Sequence, residues 1–316
     1  MAAKGIWRGK RVGVVYGGTS SEREVSLESG KAIYDGLLRL GYDALLIDQQ
    51  ADLAQILTEK NIDVVYNALH GKWGEDGCVQ GLLEILRIPY TGSKVFSSAL
   101  TMDKHHAKII FDKHGLKTGE YVLVKEHEAS SFDMTSISMD LPVVVKPNTE
   151  GSSMGIRIVK DQGELEEALL EAAKWGGDIL IERYLKGREI QITVLGDRAL
   201  GAIEVIPAEE FYDYKAKYET DSTQYIYPAQ LDEQTYKRCM DMGLAAHQAL
   251  LCEGVTRTDL ILSDDEIYIL EVNTLPGMTS HSLVPKTAAG NDISFDELLE
   301  IVLDSARLGI NSPEVK

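Results

Sequence analysis

The sequence predicts a mixed α/β and α+β protein, and three observations carry that prediction. Residues 11–67 alternate short apolar runs with amphipathic helical stretches, the pattern of an open parallel sheet. Around residues 143–159 an apolar run, a Gly/Ser-rich loop and a second apolar run make a strand–flap–strand unit. Near the C-terminal end two β-branched runs flank Ser263-Asp264-Asp265-Glu266, four turn-prone residues that mark an antiparallel hairpin. At 316 residues the chain has room for two or three domains and a large buried core.

Lys and Arg number 32 against 50 Asp and Glu, a net charge of −18, which argues against nucleic acid as the main partner. An anionic ligand would need local lysines or metal ions, because the overall field repels it. Cys78, Cys239 and Cys252 have no metal-ligand spacing and read as structural thiols in a reducing compartment. No apolar run is long enough to span a bilayer, and Met1 to Lys10 is basic with no apolar run after it, so the expectation is a cytoplasmic protein without a targeting segment.

In chain order, Arg11 to Tyr16 is a buried strand, Gly17 to Ser21 a turn, and the helix after it stops at Gly41. Tyr42–Asp48 and Asp63–Asn67 read as strands, with helical Leu53–Lys60 between them. Ligands of such sheets bind beyond the carboxyl ends of the strands. Gly17-Gly18 lacks the third glycine of a dinucleotide fingerprint, and that reading is set aside. Glu22 enters the first helix, either as a helix-start carboxylate or as a carboxylate holding a ligand ammonium. His70, in a Gly-rich loop at a strand end, is a loop hydrogen-bonder or a ligand contact. A single helix is expected from Lys94 to His114, with Lys104 on it.

Lys146 lies in the apolar run Leu141 to Pro147, where a buried lysine needs an anionic partner. The loop Asn148 to Gly155 after it, with Glu150, Gly151, Ser152 and Ser153, is either a plain hairpin loop or a flap donating amides and hydroxyls to phosphates. A helix follows from Gly163 to Lys174, then a strand Asp178 to Leu185 with Glu182 in its polar end, and Gly187-Arg188-Glu189 starts another, Ile190 to Leu195. Phe211 to Tyr218 reads as a mobile loop carrying cations, and helices are expected at Asp232–Leu251 and Phe295–Leu308.

The C-terminal hairpin holds the sharpest chemistry. If it turns about Asp265, an odd-length loop, Asp259 faces Glu271 and Arg257 faces Asn273, all on one side. Leu260, Leu262, Tyr268, Leu270 and Val272 would then seat the other side on a core. Two carboxylates and an amide oxygen at one spot repel unless a cation joins them, and oxygen-only ligands favour magnesium. The plainer alternative is a solvated polar face. Thr274 to Thr279, after the hairpin, is a Pro-Gly turn with free amides.

The chain also carries, in order, Gly-Gly-Thr-Ser-Ser-Glu-Arg-Glu-Val-Ser from Gly17, Ala-Leu-His-Gly from Ala68 and Gly-Glu-Asp-Gly from Gly74. Further on come Met-Asp-Lys, Val-Lys-Pro, Glu-Gly-Ser-Ser, Phe-Tyr-Asp-Tyr-Lys-Ala-Lys-Tyr, Arg-Thr-Asp, Glu-Val-Asn-Thr-Leu-Pro-Gly-Met-Thr and Ser-His-Ser-Leu-Val-Pro. Together, over residues 17–285, these resemble the D-alanine–D-alanine ligases of the ATP-grasp superfamily. The resemblance implies an ATP-grasp fold in three domains: an N-terminal open parallel α/β unit (1–98), a central flap unit (99–186) and a C-terminal antiparallel-sheet unit (187–316). It implies ligation of two D-alanines with ATP through a D-alanyl phosphate, for peptidoglycan precursors. The alternatives are a D-alanine–D-lactate ligase or another ATP-grasp carboxylate–amine ligase.

The resemblance also implies roles. Lys104 and Lys146 bind phosphates, Glu150, Gly151 and Ser153 belong to the flap, and Glu182 and Glu189 contact adenine and ribose. Asp259, Glu271 and Asn273 hold two magnesium ions, for which manganese substitutes. Arg257 and the amide of Gly277 stabilise the oxyanion. Glu22 fixes the first substrate's ammonium and is linked through Ser152 to Tyr218, while Lys217 meets the γ-phosphate. His70 and Ser282 bind substrate. Tyr218 favours an amine over D-lactate as second substrate, and a homodimer is implied.

Overall fold

The computed structural model describes residues 4–133, 137–206, 223–279 and 282–309. Three sheets organise them. The first is parallel, in the order β2 (Asp43–Asp48), β1 (Arg11–Tyr16), β3 (Val64–Asn67). Its residues are apolar on both faces, as a sheet covered on both sides requires. Helix α1 (Arg23–Arg39) covers one face and buries Ile33 and Leu37 against Val12 and Val14. The last helix, Phe295–Asp304, returns to the same core with Leu298, Leu299 and Val302. The other face carries α2 (Leu53–Glu59) and α3 (Cys78–Leu86), packed through Leu57 and Leu83.

The second sheet is antiparallel, in the order β4 (Tyr121–Val124), β7 (Ile179–Arg183), β5 (Val143–Pro147), β6 (Arg157–Val159). Along β5 the side chains alternate. Val143 and Val145 go to the core with helix α6 (Leu165–Ala173), whereas Val144 and Lys146 line a cavity on the opposite face. The Gly/Ser loop joins β5 to β6. The third sheet runs β10 (Gln224–Ile226), β9 (Arg198–Ile206), β8 (Arg188–Leu195), β11 (Val255–Ser263), β12 (Glu266–Asn273), with the helix Glu233–Ala249 on its core face. The two antiparallel sheets face each other across the cavity.

The expected Lys94–His114 helix is two helices, α4 (Val95–Met102) and α5 (Lys104–Lys113). Asp103 between them has extended backbone, and its carboxylate accepts from the His106 amide at 3.0 Å. An aspartate at that position competes for the backbone and restarts the helix as an N-cap. Helix α5 then buries Ala107 and Phe111 in the core of the third sheet. The expected Gly163–Lys174 helix begins with a 3-10 turn, Gln162–Glu164, before α6.

The hairpin departs from expectation in an instructive way. Its turn has two residues, Asp264 and Asp265, both left-handed at φ 46° and 67°, and Ser263 pairs with Glu266. An even loop would misalign the functional end by one residue. A β-bulge beside Leu260 takes up that residue, so Asp259 still pairs with Glu271 and Arg257 with Asn273. The cost falls between bulge and turn, where the slip reverses the faces. Ile267 and Ile269 enter the core in place of Tyr268 and Leu270, and Leu270 lines the cavity beside Glu271.

Candidate functional site

The cavity between the antiparallel sheets has a volume of about 550 Å³. That is within the range of sites for small molecules. Lys146 and Glu182 line it from one sheet; Glu189, Asp259, Ile261 and Leu270 line it from the other; Ser153 closes it from the flap. Lys146 meets the anionic partner that its burial demands, since its ammonium is 2.9 Å from Glu182 Oε2. Burial raises the Glu182 carboxyl, but Lys108 and Lys146 together outweigh it and hold the group below its usual value. Glu189 accepts from the Gln191 side chain at 2.8 Å.

At one end of the cavity lies the polar face of the hairpin. The Arg257 guanidinium grips Asp259 with two hydrogen bonds, 2.7 and 2.8 Å, and the Asn273 side-chain nitrogen reaches Asp259 at 3.3 Å. Glu271 lies 3.5 Å from the ammonium of Lys104, which also donates to the Glu150 carbonyl. Among the described residues no three His, Cys, Asp or Glu side chains cluster as a metal site; the third donor here is the amide of Asn273. Two carboxylates and one amide oxygen are hard donors and fit magnesium, with the remaining positions left to water and phosphate oxygens.

Beyond the hairpin the first sheet contributes its strand-end loops. Glu22, 7% exposed, accepts a hydrogen bond from the Ser152 hydroxyl, so a helix start on the first unit meets the flap of the second. Ser152 and Ser153 are both left-handed, at φ 47° and 59°, which curls the flap so that one serine faces Glu22 and the other the large cavity. At Gly151 a Cβ would stand 2.6 Å from Glu22 Oε2, so a side chain there would have to displace the Glu22 carboxylate from its contact with Ser152. Glu150 turns away from the large cavity. Its carboxylate reaches Lys72 at 2.5 Å and Ser21 at 3.4 Å, tying the flap to the first unit.

His70 is buried behind this junction, with its ring 3.2 Å from Ser29 Oγ, which in turn accepts from the Met278 amide. Burial pushes the imidazole down to about 4, so it stands neutral under the Pro-Gly turn. Gly277 and Ser282 are adjacent, because a Cβ on Gly277 would lie 2.8 Å from Ser282 Oγ. Lys217, Tyr218 and the rest of the Phe211–Tyr218 loop lie outside the described residues.

Glu75 was not singled out by the sequence reading, although it stands in the Gly-Glu-Asp-Gly motif. Its carboxylate accepts from the amides of Gly71 (2.8 Å) and Leu275 (2.9 Å) and from Thr274 Oγ1 (3.4 Å), joining the His70 loop to the turn after the hairpin. Burial and the nearby Glu22 charge push it up to about 7 against the pull of those donors. A carboxyl raised on folding contributes stability at low pH that is lost as pH rises through its folded value. Thermal unfolding from pH 5.5 to 8.5 should therefore show the wild-type midpoint falling relative to that of Glu75→Gln. Parallel curves for the two proteins would refute the shift.

Sequence comparison agrees with this geometry. The family described as D-ala D-ala ligase C-terminus matches residues 110–304, and that described as D-ala D-ala ligase N-terminus matches residues 48–93. A D-alanine–D-alanine ligase of Anaeromyxobacter sp. (strain Fw109-5) is 52% identical over 305 residues, 96% of this chain and 99% of that protein. The crystal structure of the D-alanine–D-alanine ligase of Bacillus anthracis complexed with ATP superposes with a TM-score of 0.83 at 36% identity, covering 94% of this chain and 97% of that one. The VanG D-Ala:D-Ser ligase of Enterococcus faecalis gives 0.80 at 29% identity, covering 93% and 98%. With the flap, the facing sheets and the acidic hairpin in place, this chain belongs to the D-alanine–D-alanine ligase family of ATP-grasp enzymes.

Proposed function

We propose that the protein ligates two D-alanine molecules to D-alanyl-D-alanine at the expense of ATP, through a D-alanyl phosphate, for peptidoglycan precursor synthesis. The observation that carries the reading most directly is the Glu22–Ser152 contact beside Lys104, Glu271 and Asn273. That contact supports the reading because a carboxylate suited to an ammonium lies next to the polar end of the large cavity. In this reading Glu22 holds the first D-alanine by its amine, and Lys104 and Lys146 hold the phosphates. Glu182 and Glu189 read the base and the ribose. Asp259, Glu271 and Asn273 would hold two magnesium ions, or manganese in their place. The ions, when bound, neutralise charge on the transferring phosphoryl group.

Arg257 and the Gly277 amide would stabilise the oxyanion when the second amine attacks. His70 backs the turn that presents Gly277, and Ser282 receives the second carboxylate. Lys217 and Tyr218 would complete the closed site and exclude water from the acyl phosphate. Phosphate release with ATP and magnesium tests the whole reading. D-Alanine should stimulate it and L-alanine should not, and D-serine or D-lactate offered as second substrate should give little product. Release without D-alanine dependence would overturn it.

We also propose the division 1–98, 99–186 and 187–316, a cytoplasmic location, small-molecule substrates with no nucleic-acid or membrane partner, and a homodimer. No helix among the described residues is long and apolar enough to cross a membrane. Exposed Ile85 (80%), Phe96 (67%) and Leu251 (62%) support the dimer, and the Ser97–Leu250 hydrogen bond sets the helix bearing Phe96 beside Leu251. Sedimentation should find a dimer for wild type and a monomer for Phe96→Glu; a monomeric wild type would remove the proposal.

A further inference from the structure

Lys108 is not used by the reaction as described, yet it is among the largest fully buried side chains, 1% exposed. It lies on α5 one turn beyond Lys104, so one helix presents two ammonium groups to the site on the same side. Lys104 serves the Glu150 and Glu271 end. Lys108 serves Glu182, with its ammonium 3.2 Å from Oε1, while Lys146 holds Oε2 at 2.9 Å. Lys108 also stands 5.2 Å from the centre of the Tyr121 ring, a face that favours a cation. Lys146 and Glu182 line the cavity; Lys108 does not.

We propose that Lys108 is a positioning residue for the nucleotide: it balances the Glu182 carboxylate and so leaves the charge of Lys146 for the triphosphate. The inference rests on the assignment of the large cavity to ATP. The charge count makes the point. Within this cluster two buried ammonium groups and one carboxylate leave a net charge of one positive unit at the Lys146 end of the cavity. Without Lys108 the remaining pair, Lys146 and Glu182, is neutral, and the Lys146 ammonium is held by a carboxylate at 2.9 Å with no surplus for an anion. Glu182 Oε1 has the Lys108 ammonium 3.2 Å away as its ion-pair partner, on the side away from Lys146.

Lys108→Met should raise KM for ATP by about tenfold or more, with KM for D-alanine unchanged, and Lys108→Arg should restore most of the ATP affinity. Inorganic tripolyphosphate, as an inhibitor competing with ATP, reads the phosphate contribution alone. It should weaken in Lys108→Met and recover in Lys108→Met/Glu182→Gln, where one positive charge is again uncompensated. A merely structural lysine would not be rescued by removing its partner's charge. If Lys108→Met does not fold, the charge-balanced double variant is compared with wild type, and equal tripolyphosphate inhibition is expected. A folded Lys108→Met with unchanged KM for ATP, or a double variant with tenfold weaker tripolyphosphate inhibition, overturns the inference. Calorimetric titration of the wild type with ATP separates the two readings, because no ATP binding there sinks the site assignment itself.

Discussion

Arg257→Met should lower kcat by about 10²–10³-fold, the loss expected when one preorganised oxyanion donor is removed. The structure adds a second expectation. Arg257 now makes two hydrogen bonds to Asp259, whose carboxylate is 3% exposed. Removing the guanidinium leaves a buried carboxylate with the amide of Asn273 as its remaining side-chain hydrogen-bond partner among the described residues, a costly arrangement. The variant should therefore melt earlier than wild type without ligands and regain much of the difference with ATP and magnesium, which give Asp259 a new partner. Arg257→Lys keeps the charge but loses the planar fork, and should stay closer to Met than to wild type in kcat. Steady-state phosphate release and thermal unfolding with and without magnesium-ATP measure both effects. A kcat within threefold of wild type would remove Arg257 from the chemistry.

The sequence made the site more legible than the path of the chain through it. Asp259 opposite Glu271, and Arg257 opposite Asn273, follow from parity alone. That inference succeeded although its premise, an odd turn, was wrong, because the bulge and the even turn each move the register by one and cancel at the functional end. Between them the errors do not cancel, which is why Tyr268 and Leu270 were placed on the wrong face. A bulge has no local sequence mark in a strand of uniformly apolar residues such as Ile267 to Leu270. Asp103 does have one, since aspartate favours the cap over the helix interior, and the helix break there was readable but passed over.

Residues that act across units were the hardest to find. Lys146 announced itself as a charge inside an apolar run. Lys108 and Glu75 sit in ordinary helical and loop contexts, and only the fold reveals that one is buried against Glu182 and the other joins two loops 200 positions apart. The role given to Glu150 shows the same limit from the other side. A flap position predicts closeness to phosphate, but the direction of its side chain depends on Lys72 and Ser21, which come from a different sheet.

If Glu271 holds metal as proposed, Glu271→Gln should cut phosphate release by at least about 10²-fold, because it removes the charge of the donor while preserving side-chain volume and one acceptor oxygen. The position is half-buried and borders Leu270 on the bulge, so the isosteric change leaves the packing of Ile267 and Ile269 untouched. The informative measurement is the magnesium dependence. If Glu271 binds metal, the variant should need a higher magnesium concentration for half-maximal rate at fixed ATP, since one of two carboxylates is lost. If it serves only as the counter-ion of Lys104, 3.5 Å away, the magnesium dependence should not move and the effect should appear as a change in KM for ATP. Asp259→Asn is the companion variant. Among the described residues Asp259 pairs with Arg257 while Lys104 pairs with Glu271, so a shift shared by both variants points to the ion they would hold in common. Neutralising a lysine's partner should, if anything, free Lys104 to bind phosphate more tightly, and tighter ATP binding with unchanged magnesium dependence would sink the metal assignment.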